Sequence, residues 1–114
     1  MKRDTRELIR KAASVCEAGR GGKLYSCNAI KNSAGWGPAG RKIADRWCNY
    51  LHDTVEEVSG DWANASTPLA NYDYDGEAGI IRGNVVRAKL LRAYADGKPK
   101  RFRSILKEYV KWAV

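Results

Sequence analysis

Between Ile43 and Val58 the apolar residues Ile43, Ala44, Trp47, Cys48, Leu51, Val55 and Val58 recur on one side of a helical repeat. Asp45, Asn49, His52, Asp53, Glu56 and Glu57 fill the complementary positions. A strand would alternate its faces and mix the two sets, so this stretch buries its apolar side only as a helix. Pro38 suits the first turn, where the N–H it lacks has no intrahelical acceptor. The spacing therefore predicts a helix over about 38–58. Burying that face contributes roughly 1.5–3 kcal/mol per large side chain, a plausible main source of core stability.

Other segments repeat the pattern. Leu8, Ile9, Ala12, Ala13 and Cys16 mark a helix over about 4–19, opened by Asp4 and Glu7 at capping-box spacing and ended by Gly19-Arg20-Gly21-Gly22. Ser26 caps a short helix through Ile30. A helix over about 77–95 is bounded by Asp96-Gly97 and Pro99, with Asp75 as its cap and Glu77 near its positive end. Its Ile80, Ile81, Val85, Val86, Leu90, Leu91 and Tyr94 spread around most of the circumference, the mark of a central helix. The last helix, about 100–113, sets Phe102, Ile105, Leu106, Tyr109 and Ala113 opposite Lys100, Arg103, Lys107 and Lys111. Residues 59–75, with Gly60, Pro68 and several Ser, Asn and Asp, read as a long connection, and such loops are often functional. Strand signals are weak and no repeat occurs. The expected fold is all-α: one compact domain over 1–114, a bundle of four to five helices with one long loop (about 59–75).

With 44% hydrophobic and 30% charged residues, the chain is too apolar to be disordered. No stretch approaches the roughly 18–20 apolar residues that span a bilayer, so no membrane partner is expected. The basic Met1–Glu7 segment lacks a following apolar run and is not expected to be a secretory signal. Three cysteines cannot all pair, and Cys16 and Cys48 sit on apolar helix faces. Reduced thiols and a cytoplasmic location are the expectation.

The charge is unevenly distributed. Residues 82–114 carry ten Lys/Arg against two acids, a net of +8; residues 1–40 carry +5 and residues 41–81 carry −5. Such a field bears on partners and encounter rates, not on fold. The candidate surface for nucleic acid or an acidic partner comprises Arg82, Lys89, Arg92, Lys98, Lys100, Arg101, Arg103, Lys107 and Lys111. A phosphate chain needs several cations held on a rigid element, whereas a merely solvated basic face needs nothing further. The acidic stretch Asp45, Asp53, Glu56 and Glu57 is adequately explained as a solvated face, but it could pair with the basic C-terminal helix and partly neutralise the site. No zinc-finger spacing, basic zipper or RNP motif accompanies the cations, so base-specific reading is not expected.

Trp47 and Phe102 lie on clean apolar faces and belong to the core. Trp36 and Trp62 fall in expected loops, where a Trp either covers the core or presents a contact surface. Trp62 with Tyr72 and Tyr74, which flank Asp73, forms a candidate protein-contact loop. Asn71, Asp73, Asp75 and Gly76 imitate the start of a calcium loop, but its twelfth position is Arg82 where a bidentate Glu belongs. A helix-capping turn is the more economical reading. His52, the only histidine, sits with Asn49 and Glu56 on a polar face without further ligands, and Cys27 has no adjacent His. No metal, cofactor or catalytic set is expected.

Glu7-Leu-Ile-Arg-Lys-Ala-Ala13, a Gly-rich break and Tyr25-Ser-Cys-Asn-Ala-Ile30 resemble the opening of small uncharacterised accessory proteins of tailed bacteriophages and prophages. Arg87-Ala-Lys-Leu-Leu-Arg-Ala-Tyr-Ala95 is similar to their later Arg-rich helix, whereas the Trp-rich middle and basic end depart from the pattern. The resemblance implies a phage accessory role, a class that includes anti-CRISPR inhibitors of bacterial defence, and transfers no functional residue. The expected function is thus a non-enzymatic, anti-defence binding protein that engages nucleic acid or a nucleoprotein complex through its basic C-terminal surface. The alternative is a protein that sequesters an anionic nucleotide-type small ligand.

Overall fold

The computed structural model describes residues 1–18, 37–59 and 76–110, and the side chains of 37–39 and 59 are left aside. These residues form four helices and no strand: α1 (Arg3–Glu17), α2 (Gly37–Ser59), α3 (Gly76–Ala95) and α4 (Pro99–Tyr109). The all-α expectation holds. The short helix at 26–30, the Gly19–Gly22 break, the Asp75 cap and the connection after Ser59 lie outside the described residues.

Each helix end has a local cause. α1 starts at Arg3 with Lys2 as N-cap and no side-chain cap bond, so Asp4 is not the cap that its spacing suggested. Asp4 lies instead in the first turn, where its charge meets the positive helix end. Pro38 falls in the first turn of α2, as expected. α3 ends in a Schellman motif: Gly97 N–H donates to Tyr94 O at 3.1 Å and Lys98 N–H to Ala93 O at 3.0 Å. Gly97 takes φ +62°, a conformation that side-chain-bearing residues rarely adopt. Pro99 then opens α4 at once. α4 stops at Tyr109, four residues short of the expected end, because Val110 turns extended and buries its own side chain.

The helices pack around α3. Its most extensive partner is α1, followed by α4; α2 lies against α4 and α1 with a thinner backbone approach. Small residues are buried on both helices, Ala12, Ala13 and Cys16 on α1 and Gly79, Gly83 and Ala88 on α3. Short side chains let helix axes approach closely. Arg10 pairs with Asp96 and Glu17 with Arg92, so α1 and α3 run antiparallel. α2 is joined to the rest by rings. Trp47 meets Tyr94 and Phe102 at 5.7 Å between centroids, and Tyr50 meets the same two at 4.9 and 4.8 Å.

α3 is central, yet its apolar residues are not uniformly inside. Ile81 is 41% exposed, while Asn84 and Arg87 are buried. Arg87 donates to Asn84 Oδ1 at 3.3 Å, so one of the ten C-terminal cations is absent from the surface. Tyr109, expected on the apolar face of α4, is 38% exposed. Val110, just past the helix end, is buried instead.

Cys16 and Cys48 are buried thiols, as their faces predicted. Burial pushes the Cys16 thiol up to about 12, against the opposing pull of Arg87 and Arg92. Because the folded value lies above the unfolded one, the stability it reports is complete below about pH 8.5. It is lost as pH rises towards about 12. Unfolding titrations at stepped pH are expected to show a decline of up to about 1.4 kcal/mol per unit above that threshold. Replacing Cys16 with Ala should flatten the slope, and an unchanged slope would assign it to other groups.

Candidate functional site

The nine cations assigned from sequence do not form one patch. Arg82 is exposed near the start of α3, separated by about 21 Å of helix from Asp96. Lys89 is half-buried, with its ammonium 4.3 Å from the centroid of the Tyr109 ring. Arg92 donates to Glu17 at 2.6 Å, and Arg103 donates to Glu57. Lys98, Lys100, Arg101 and Lys107 are exposed, and no described residue forms an ion pair with them. Lys111 and the aromatic set Trp62, Tyr72 and Tyr74 lie outside the described residues.

The three cations at the α3–α4 joint owe their grouping to the turn. The Schellman bonds fix Lys98, and Pro99 starts the next helix, so Lys100 and Arg101 fall in its first turn. Their backbone N–H groups precede the first intrahelical bond of α4, Phe102 N to Lys98 O, and add to the positive field. An open cleft of 430 Å³ is lined by Gly97, Lys98, Pro99, Lys100 and Arg101. The nearby carboxylate, Asp96, accepts from Arg10 at 2.5 Å. That hydrogen bond, with the charge of Asp96, holds the Arg10 guanidinium above its ordinary pKa.

The acidic face of α2 does reach the basic helix. Its hydrogen bond and charge at Glu57 likewise raise Arg103 above the ordinary value. The pair therefore removes one cation from the surface available to a polyanion. Glu57→Gln is expected to release Arg103 and to tighten polyanion binding by up to roughly fivefold near 0.15 M salt, the value of one phosphate contact. The melting temperature should change little, since exposed ion pairs contribute little to stability. Weaker binding in a fluorescence titration would show instead that the pair positions Arg103.

Sequence reasoning missed the contribution of α1. Lys2, Arg6 and Arg10 recur every four residues along one flank, the flank that meets α3 through Arg10 and Asp96. Arg6 Nε is buried without a hydrogen-bond partner among the described residues. The net +5 of residues 1–40 was the available signal, but only the helix pairing shows where it lies.

Among the described residues no group of three or more His, Cys, Asp or Glu is arranged to hold a metal ion, and no helix is long and apolar enough to cross a membrane. No protein-family model, curated protein or solved structure matches the chain.

Proposed function

We propose that this is a non-enzymatic binding protein whose basic C-terminal surface engages nucleic acid, alone or within a nucleoprotein complex. The observation that supports it is the cluster Lys98, Lys100 and Arg101, with Lys107 further along α4, exposed and unpaired among the described residues. Arg92, Arg103 and Lys89 on the same helices are engaged within the chain, by Glu17, Glu57 and the Tyr109 ring. A rigid helical joint that keeps its cations free suits a row of phosphates.

The more specific reading is a phage-borne accessory protein that inhibits a host defence complex. Its support is the likeness of Glu7–Ala13 and Arg87–Ala95 to phage accessory proteins; these segments lie on α1 and α3, the most extensively packed pair. Titration with short DNA and RNA duplexes at several salt concentrations tests the general reading. Four phosphate contacts give a slope of log K against log salt of about −3.6 on B-DNA. A slope near −1 would fit a single bound nucleotide, and no binding at low salt would remove nucleic acid from consideration. Pull-down from a bacterial lysate, with and without nuclease, tests for the complex.

A further inference from the structure

We infer that the phosphate-binding surface is composite: Lys2 and Arg6 of α1 join Lys98, Lys100 and Arg101 at one end of the bundle, gripping the sugar–phosphate backbone of a duplex from two helices. The inference rests on the nucleic-acid reading above and extends it to residues far away in sequence.

The antiparallel pairing of α1 and α3 supports this placement. Arg92 meets Glu17 and Arg10 meets Asp96, so moving back along α1 means moving past the end of α3. Arg6 and Lys2 lie about 6 and 12 Å beyond Arg10 along the axis, at the level where the chain turns into α4. Lys2 closes the first turn through its carbonyl, which accepts from Arg6 N–H at 3.1 Å, so it continues the Arg6–Arg10 row. Of the acids of this part of α1, Asp4 lies on another flank, while Glu7, about one turn before Arg10 and 3.8 Å from Arg3, also acts by charge on Arg10. Asp96, the carboxylate between the two groups, is already engaged by Arg10.

Cations carried separately by α1 and by the α3–α4 joint can meet phosphates on either side of a DNA groove, which is about 6–12 Å wide. A protein partner would want an apolar centre inside a polar rim. Of the three large apolar side chains exposed among the described residues, Ile81 and Tyr109 lie towards the far ends of α3 and α4, and only Met1 lies here. The arrangement therefore favours phosphates.

The experiment measures affinity for short mixed-sequence DNA and RNA duplexes as a function of salt, with melting temperature in parallel. Lys2→Ser changes an exposed N-cap to a better capping residue and should not unfold the chain. It is expected to reduce the DNA slope by about 0.9, and Lys2→Ser with Arg6→Gln by about 1.8, weakening binding roughly 30-fold near 0.15 M salt. Arg6→Lys should retain the slope. The duplex that binds more tightly identifies the source of the phosphates. If Lys98→Ser with Lys100→Ser lowers the slope while Lys2→Ser leaves it unchanged, the composite surface is wrong and the joint alone binds. If wild-type protein binds neither duplex, the nucleic-acid reading itself fails. Equal affinity for poly-glutamate would overturn the assignment to a phosphate backbone.

Discussion

Trp47→Ala is expected to leave the chain largely unfolded. Trp47 is fully buried and its ring meets Tyr94 of α3 and Phe102 of α4, so it fastens α2 to both neighbours. Truncating a buried Trp costs roughly 3–5 kcal/mol, against a total of about 5–15 for an ordinary domain. The effect should be especially large because the backbone of α2 approaches the other helices less closely than α1 approaches α3. The indole N–H has no hydrogen-bond partner among the described residues, so Trp47→Phe removes an unsatisfied donor while retaining an aromatic ring. Phe should therefore be tolerated much better than Ala. Circular dichroism with a denaturant titration measures both, and a loss under about 1 kcal/mol for Ala would show that the rings do not hold α2 in place.

Reversing Lys98, Lys100 and Arg101 to Glu together is expected to abolish polyanion binding and preserve the fold. All three are exposed and unpaired among the described residues. Losing three phosphate contacts alone weakens binding by about two orders of magnitude near 0.15 M salt, and the introduced repulsion adds to that. A set including Arg103 would test less cleanly, because reversal there also places two acids side by side at Glu57. Binding and melting temperature should be read together. Unchanged affinity removes the joint from the site, and a collapsed melting temperature makes these residues structural.

How much was legible beforehand depended on whether the determining physics was local. The faces of α1 and α2 and the stop of α3 at Asp96-Gly97 before Pro99 follow from spacing and backbone chemistry, and sequence reasoning found them. It failed where a neighbour decided the outcome. The charge total of residues 82–114 counts Arg87 with the other cations, but it is buried beside Asn84. Tyr109 has the right spacing for the core, but the turn to extended backbone at Val110 ends the face first. The same limit applies to the candidate site. Charge totals locate the basic segments; only the packing shows that Glu17 and Glu57 occupy two cations and that Arg10 meets Asp96 beside the α3–α4 joint.

The joint between α3 and α4 also has a thermodynamic consequence. With three residues between helices, all of them tied back by backbone bonds and the next a proline, the direction of α4 is set before any ligand arrives. Docking on such a surface orders no backbone and covers little apolar area. Its driving force would then be the entropy of released counterions, with a heat-capacity change close to zero. Calorimetry at several temperatures should find the binding enthalpy nearly flat, whereas a strongly negative temperature coefficient would mean that a segment folds, or an apolar face closes, as the complex forms.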